Sequence, residues 1–364
     1  MDLKLAKKEF KRRINNPTQE QIDRMSYQFA VFVANVKRFL GNSHEAINYK
    51  EFYLDLLYHK WLSGIEQYDI KTLRKSVIEN NSSLNFDNLT FNNPLIFAAF
   101  HLGSYRLFNS YLFEKGHKIV LIIDESVFLE QQSEILENVK PLLKKKNTSD
   151  IVILNIKSNS AIFQLKKYIE QGYVMSVYLD GNTSINDEDN DFKKSYIPIN
   201  FFNKTVFVKN GIGKLAYLLK ADIIPVISHR DDEEINHITF YKEISLSDFE
   251  NKKDFPVKSI ELIYKIFQDK LKFYKPQWES WLFLQVWFKR DFHIPYKINN
   301  QILFKFNHER YIFFKKKETF FLFDLFDYKS FPLELNLYNL LKNENFEEIE
   351  ESLKSELISK NIII

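Results

Sequence analysis

The sequence predicts an α/β protein in which a mostly parallel or mixed β-sheet is flanked by helices. Three patterns support this fold class: helical spacing of apolar residues before residue 90, short apolar runs alternating with helix-length segments after residue 94, and two aromatic strands followed by two helices after residue 300. The expected divisions are a helical N-terminal region at 1–90, an α/β domain at 91–297 and a small winged-helix-like ββαα domain at 301–364.

The N-terminal region shows a period near 3.6 residues, which is typical of amphipathic helices. Two stretches carry it: Tyr27, Phe29, Phe32, Val33, Val36, Phe39 and Leu40, and then Phe52, Leu56, Leu57 and Trp61. At the start of the chain, an apolar face from Leu3 to Ile14 lies opposite several lysines and arginines. That face suits either a docked helix or a peripheral contact with a membrane surface.

The central region contains short apolar runs of strand length. They are Leu95–Phe100, Ile119–Ile123, Ile151–Ile156, Val174–Leu179 and Ile223–Ile227. Strands that are apolar throughout are typical of a parallel sheet covered by helices on both faces. Their carboxyl ends are then the expected location of a ligand crevice.

The C-terminal region follows a ββαα order. Aromatic strands are expected near 311–314 and 320–324, joined by the turn at 315–318, with helices near 333–341 and 346–358. This unit holds nine Lys and Arg against eleven Asp and Glu, so no nucleic-acid partner is expected for it.

Composition excludes several classes of function. The 364 residues contain no cysteine, which removes disulfides, thiolate metal ligands and cysteine nucleophiles and fits a reducing cytoplasm. The 8 glycines form no Walker or dinucleotide-binding loop. The apolar runs fall short of the ~18 residues of a membrane span, and the basic start lacks a signal-peptide core, so a cytoplasmic protein is expected.

His101 is the leading candidate for catalysis. It follows the buried strand in the segment P-L-I-F-A-A-F-H-L-G-S-Y-R, at the strand end where catalytic groups of such sheets sit. An imidazole there suits removal of a proton from a hydroxyl or an amine. The residues alone leave open the alternative of a core histidine with satisfied hydrogen bonds.

A polar stretch after the strand at 174–179 is the second candidate. It begins with Asp180, Gly181 and Asn182 and continues through several acidic residues to Tyr196. Its position favours a binding loop, although a solvated surface loop is the alternative.

Four sequence blocks resemble a known family in the correct order. The blocks are H-L-G-S-Y-R at 101–106, I-E-Q-G-Y-V-M-S-V-Y-L-D at 169–180, the segment at 201–225 that contains Asn210 and Gly211, and P-Q-W-E-S-W-L-F-L-Q-V-W-F-K-R at 276–290. They are similar to the late acyltransferases of lipid A biosynthesis, within the superfamily that carries a His-x4-Asp/Glu motif. This resemblance implies a glycerolipid acyltransferase-like fold and acyl transfer from a thioester, with His101 as general base.

The sequence departs from that family at Arg106, where the motif requires Asp or Glu. A guanidinium cannot stabilise a protonated imidazole. The family places an arginine at the end of the next strand, where this chain has Asp124. We therefore expect a charge-swapped triad of His101, Asp124 and Arg106. The alternatives are that Asp124 merely caps a helix and that the protein has kept the fold without catalysis.

Further residues are predicted to bind substrate. Gly103 has no side chain and so allows a close approach to its backbone. The positive charge of Arg230 suits contact with an anionic group. The full predicted binding set is Gly103, Ser104, Tyr105, Asp180, Gly181, Asn182, Asn210, Gly211 and Arg230. No histidine pair has zincin spacing, so neither a catalytic metal nor another bound cofactor is expected.

The C-terminal unit weakly resembles the peptide-recognition domains related to the PqqD peptide chaperone. Such domains add a peptide as a strand to a sheet edge. The expectation for the whole chain is thus a soluble acyltransferase. Its expected donor is acyl-carrier protein or acyl-CoA, and its expected acceptor is a hydroxyl or amine, with a peptide or specialised metabolite as candidate carriers of that group. The alternatives are an inactive adaptor, with the C-terminal unit as a structural cap, and a thioesterase.

Overall fold

The computed structural model describes residues 3–41, 46–67, 69–88, 91–125, 128–129, 132–133, 135–137, 150–181, 195–288 and 304–364. The chain divides into two compact units. The first comprises residues 1–7 and 54–280, and the second comprises residues 8–53 and 281–364.

The first unit is built around a seven-stranded mixed sheet. Its strands are β1 (Val77–Asn80), β2 (Leu95–Ala99), β3 (Lys118–Ile123), β4 (Ile151–Asn155), β5 (Tyr173–Tyr178), β8 (Asp222–Arg230) and β9 (Asn236–Phe240), with β6 (Tyr196–Phe201) and β7 (Lys204–Lys209) forming a separate antiparallel hairpin. The spatial order of the sheet is β1-β9-β8-β2-β5-β3-β4. The five strands from β8 to β4 run parallel, whereas β9 is antiparallel to β8.

Helices connect these strands. Among the described residues of the first unit they include α4 (Ile70–Lys75), α5 (Leu107–Glu114), α6 (Ala161–Glu170), α7 (Gly211–Leu219) and α8 (Phe255–Leu271), and short 3₁₀ turns include Lys275–Gln277 and Glu279–Leu282. The helices α1 (Leu3–Asn15) and α3 (Tyr49–Glu66) each run from one unit into the other along the chain. No helix in the described ranges has both the length and the apolar character needed to cross a bilayer.

The strand β2 lies at the centre of the core. All five of its residues are buried, and Phe97 packs with Phe108, Ile224 and Phe240 in one apolar cluster. Such a strand has no polar face because both of its faces are covered. The carboxyl end of β2, where the chain leaves this apolar layer, is therefore fixed in position.

The predicted fold class is confirmed, and all five predicted core strands are present within one to three residues of their expected ends. The sequence did not reveal β1, β9 or the β6–β7 hairpin. The residues of β1 are partly exposed, and β6 shows an alternating burial pattern, so these segments lack the continuous apolar runs that identified the buried strands.

The second unit combines α2 (Gln19–Leu40) with a three-stranded antiparallel sheet. Its strands are β10 (Tyr311–Lys316), β11 (Thr319–Asp324) and β12 (Lys329–Leu333), followed by α9 (Leu335–Lys342) and α10 (Glu351–Ser359). The ring of Tyr27 on α2 lies 5.7 Å from that of Phe314 on β10. The third strand was not predicted, because Pro332 lies within it and proline argues against a strand.

This grouping differs from the expected division of the chain. Most of the N-terminal helical residues, 8–53, belong to the same compact unit as the C-terminal segment. Asn35 on α2 illustrates the connection, since its amide donates to the carbonyl of Trp281 at 2.9 Å and accepts from the Tyr328 hydroxyl at 3.0 Å. A deletion of residues 301–364 would therefore uncover α2.

We expect Gly213→Ala to lower the melting temperature, although alanine favours a helix by about 1 kcal/mol over glycine. A Cβ atom at Gly213 in α7 would lie 2.1 Å from the carbonyl oxygen of Pro256. The matched control is Gly64→Ala in α3, where a Cβ would meet no atom within 4 Å. Thermal melts should show a loss for the first variant and a neutral or positive change for the second. Equal melting temperatures would contradict this packing of α7 on α8.

Candidate active site

The strand order brings the ends of β2 and β5 together. The two strands are parallel neighbours, with Ala99 opposite Tyr178, and the amide of Leu179 donates to the carbonyl of Ala99 at 2.9 Å. His101 lies two residues after Ala99, and Asp180 lies two residues after Tyr178. The sheet topology thus positions an imidazole and a carboxylate side by side at the carboxyl edge.

His101 and Asp180 form a hydrogen-bonded pair. The Nδ1 atom of His101 lies 2.7 Å from Oδ1 of Asp180. The side chain of His101 is 21% exposed, whereas that of Asp180 is fully buried. No described residue hydrogen-bonds to Nε2 of His101, which leaves that atom available to a substrate.

The Asp180 carboxylate is surrounded by donors. The backbone N–H of His101 donates to both of its oxygens at 2.9 and 3.0 Å, the indole N–H of Trp278 donates at 2.7 Å and the hydroxyl of Ser280 at 3.2 Å. Burial by itself would raise the pKa of Asp180, but the adjacent His101 ring and these hydrogen bonds outweigh burial and lower that pKa below its ordinary value. The carboxylate is therefore ionised at neutral pH.

This arrangement fixes the tautomer of His101. An ionised carboxylate accepts hydrogen bonds and cannot donate one, so the Nδ1 atom that faces Asp180 carries the proton. In the neutral ring, Nε2 is then the basic nitrogen. A histidine held in this way can take a proton from a hydroxyl or amine and share the resulting positive charge with its carboxylate.

The loop after β2 is held by the segment at 277–279. The amide of Gly103 donates to the carbonyl of Gln277 and the amide of Glu279 donates to the carbonyl of His101, each at 3.1 Å. Gly103 has a φ of 59°, and a Cβ there would lie 2.9 Å from the Cα of His229. Glycine is required here for both its backbone conformation and its lack of a side chain.

Aromatic rings enclose the histidine. Tyr105 meets the His101 ring edge to face at 4.6 Å, and Tyr178 lies 5.1 Å from it. The hydroxyl of Tyr178 accepts a hydrogen bond from Asn109 at 2.9 Å. Burial raises the pKa of Tyr105 far above its ordinary value, so this residue contributes a neutral wall to the site.

The four sequence blocks converge around this pair. His101 and Asp180 come from the first and second blocks, and Trp278 comes from the fourth. Phe201 opens the third block, and its ring lies 5.4 Å from that of Trp278. The indole of Trp278 was not among the predicted site residues, although the P-Q-W-E-S-W segment that contains it was identified.

The predicted triad of His101, Asp124 and Arg106 is not assembled. The carboxylate at His101 is that of Asp180, because β5 lies between β2 and β3 and separates their ends by two strand spacings, about 10 Å. Asp124 instead forms ion pairs with Lys157 at 3.2 Å and Lys209 at 3.5 Å. The strands are consecutive along the chain but are not neighbours in the sheet.

Arg106 has other surroundings as well. Its guanidinium donates to Oε1 of Gln67 at 2.5 Å and lies 5.1 Å from the centre of the Tyr105 ring. The motif position that holds an acid in the resembled family therefore holds no carboxylate partner for His101 here.

Two residues that were predicted to bind substrate instead bind other side chains of this protein. Arg230 is fully buried and donates to Oε2 of Glu66 at 2.7 Å, and the hydroxyl of Ser104 donates to the same oxygen at 2.5 Å. A guanidinium with no exposed surface does not fit the expected role of Arg230 as an anion contact. Glu66 gave no signal in the sequence, since it lies near the end of an ordinary helix.

Three of the remaining predicted residues lie in the described part of the chain. Gly181 follows Asp180, and Asn210 precedes α7, which Gly211 begins. Asn210 is buried, and its Oδ1 atom has no hydrogen-bond partner among the described residues. Asn182 lies outside the described residues. No described group of three or more His, Asp or Glu residues is arranged to hold a metal ion.

Comparison with solved structures finds matches that include an acyltransferase. The chain is 12% identical to the 1-acyl-sn-glycerophosphate (LPA) acyltransferase PlsC from Thermotoga maritima, with a TM-score of 0.31 over 70% of this chain and 98% of that chain. No family model and no curated protein matches the sequence. At this TM-score the likeness has no bearing on function, which rests on the geometry of the site.

We expect Asp180→Asn to lower the free energy of unfolding by roughly 1–3 kcal/mol at neutral pH, because a charged acceptor of several hydrogen bonds is lost. The folded pKa of Asp180 is lowered, so its contribution is complete above about pH 4 and disappears as the pH falls through the folded value. Denaturant melts of both proteins should therefore converge on acidification. A stability difference that does not change with pH would contradict an ionised Asp180.

Proposed function

We propose that this protein is an acyltransferase in which His101 is the general base and Asp180 orients it. The observation that carries the proposal is the hydrogen bond between Nδ1 of His101 and the buried carboxylate of Asp180. Because Nδ1 faces this carboxylate, Nε2 on the other side of the ring points away from it. Three of the four sequence blocks that resemble thioester-dependent acyltransferases supply His101, Asp180 and Trp278, and the remaining block contacts Trp278 through Phe201.

The reaction can be written from these groups. Nε2 of His101 removes the proton of an acceptor hydroxyl or amine while the acceptor oxygen or nitrogen attacks the thioester carbonyl. A C–O or C–N bond forms, the C–S bond breaks, and the proton passes from the imidazolium to the leaving sulfur. Asp180 stabilises the imidazolium during this transfer. The products are an ester or amide and a free thiol.

The dyad geometry supports an enzyme over an inert adaptor. The change of the motif acid to Arg106 left open the alternative of a fold kept without catalysis, but His101 has a carboxylate partner at 2.7 Å. A buried carboxylate with a lowered pKa beside a histidine at a strand end is typical of functional sites. Asp180 thus takes the orienting role that the motif position no longer supplies.

The proposed donor is the thioester of acyl-carrier protein or of coenzyme A, and the proposed acceptor is a hydroxyl or amine on a peptide or specialised metabolite. Peptide recognition would use the second unit. There β10 lies against α2, while β12 is the other edge strand and is largely exposed. Pro332 removes one donor from that edge, so a peptide strand would pair over only part of β12.

We expect His101→Ala to reduce acyl transfer by about 10²–10⁴-fold with no loss of folding, since general-base assistance is worth that much. The matched control is His237→Ala. His237 also pairs with a carboxylate, Asp231 at 2.9 Å, and its side chain is 19% exposed. Intact-mass analysis of candidate acceptors after incubation with mixed acyl thioesters measures the transfer.

The same experiment separates the competing functions. Acyl release as free acid, dependent on His101 and without acceptor modification, would identify a thioesterase. Binding of acyl thioesters without any turnover would identify an adaptor. Full activity in His101→Ala would overturn the assignment of the base.

A further inference from the structure

A buried polar cluster lies beneath the loop that carries His101. Its centre is Arg230, whose Nε and Nη2 atoms donate to Oε2 of Glu66 at 3.2 and 2.7 Å. Nη2 also donates to the hydroxyl of Ser104, which in turn donates to Glu66. We call Arg230, Glu66 and Ser104 the loop clamp.

The clamp joins three separate parts of the first unit. Glu66 is the last residue of α3, Arg230 is the last residue of β8, and Ser104 lies three residues after His101. Each is almost completely buried, with 0% to 2% of its surface exposed. The loop that carries the histidine is therefore tied to a helix and to a strand at a position without competing water.

Arg230 also fixes the segment that supports the loop from its other side. Its amide donates to Oε1 of Gln277 at 2.7 Å, and Nε2 of Gln277 donates to the carbonyl of Arg230 at 2.7 Å. The carbonyl of Gln277 accepts from the amide of Gly103. One residue, Arg230, thus holds the loop directly through Ser104 and indirectly through Gln277.

The charges of the cluster balance. Nη1 of Arg230 lies 3.1 Å from Nδ1 of His59, and burial together with the positive charge of Arg230 lowers the pKa of His59 to about 3. His59 is thus neutral and can accept from the guanidinium. Asn236 donates to Oε2 of Glu66 at 3.1 Å. The cluster thus contains one cation, Arg230, and one anion, Glu66, and each of them is hydrogen-bonded to the other and to neutral side chains.

A buried ion pair is poor evidence for stability alone. Well-packed apolar residues of similar volume are often as stabilising or more so, because the desolvation of two charges offsets their attraction. What such a pair supplies is directional geometry: a planar fork that contacts carboxylate, hydroxyl and imidazole at fixed angles. Both members of the pair contact Ser104, three residues after His101, which indicates where that geometry is used.

We propose that the loop clamp is a positioning device for the catalytic histidine, with Arg230 and Glu66 as positioning residues. It holds residues 101–104 in place so that the His101 ring keeps its hydrogen bond to the Asp180 carboxylate. This inference rests on the proposed function, in which that ring is the general base. Arg230 and Ser104, predicted from the sequence to bind substrate, are assigned here to support of the base.

The test compares Arg230→Lys and Ser104→Ala with the wild-type full chain. Lysine keeps the positive charge but cannot contact Glu66, Ser104 and His59 together. We expect kcat to fall about 10-fold to 100-fold, as for a misplaced catalytic group, with KM nearly unchanged because substrate contacts remain. Ser104→Ala is the milder change and should act in the same direction.

The control is Arg310→Lys in the second unit. Arg310 forms a comparable ion pair with buried Asp324, with its Nε and Nη2 atoms at 3.0 and 2.8 Å from the same oxygen. The melting temperature of this variant should fall about as far as that of Arg230→Lys, while its kcat should stay at the wild-type value. A purely structural clamp would make the two arginine variants behave alike.

A second measurement makes the inference independent of acyl transfer. In protein labelled with ¹⁵N-histidine, the Nδ1–H resonance of His101, assigned by its loss in His101→Ala, reports the hydrogen bond to Asp180. We expect it to weaken or exchange faster in both clamp variants and to be unchanged in Arg310→Lys. If the resonance and kcat stay at wild-type values in folded Ser104→Ala and Arg230→Lys, the positioning role is wrong. If the resonance responds while the wild type transfers no acyl group, the clamp stands and the proposed function fails.

Discussion

The first unit depends on one buried charge, the carboxylate of Asp180. A carboxylate without exposed surface must receive from the protein the hydrogen bonds that water would supply. Here the backbone of His101, the His101 ring, Trp278 and Ser280 supply them. These donors come from the end of β2 and from the segment after α8, whereas Asp180 itself follows β5, so satisfying this single charge requires all three segments to meet at one point.

A second buried carboxylate, Glu66, faces the same loop from another side. It is satisfied by Arg230, Ser104 and Asn236, as Asp180 is satisfied by His101, Trp278 and Ser280. The short loop at 101–104 is thus held at His101 by one carboxylate and at Ser104 by the other. A loop with both ends anchored to buried charges has little freedom, which is what a general base with a defined direction requires.

Much of this arrangement could be predicted from the sequence, and the part that could not has a clear physical reason. Buried strands are recognisable in a sequence as continuous apolar runs. The core of the sheet and the location of His101 and Asp180 at strand ends could therefore be predicted. Their pairing was not, because the sequence does not state that β5 lies between β2 and β3. Asp124 was therefore chosen as the partner of the histidine on the assumption that consecutive strands are adjacent.

Other failures have the same origin in tertiary context. Arg230 looked like an anion contact because an arginine at a strand end is usually exposed, and only the fold shows that α3 delivers Glu66 to it. The third strand of the second unit was hidden by Pro332, which an edge strand tolerates and an interior strand does not. The role of Arg230 and the conformation around Pro332 both depend on burial and on neighbouring elements, which residue type alone does not reveal.

The central claim, that Asp180 orients the catalytic base, is tested most directly by the rate of acyl transfer in Asp180→Asn compared with Asp231→Asn. Both carboxylates hydrogen-bond to a histidine ring, Asp180 to His101 and Asp231 to His237. We expect Asp180→Asn to lose about 10²–10⁴-fold in kcat, because the amide no longer fixes the tautomer or stabilises the imidazolium, and Asp231→Asn to keep the wild-type rate. A folded Asp180→Asn protein that transfers acyl groups as fast as the wild type would contradict the account.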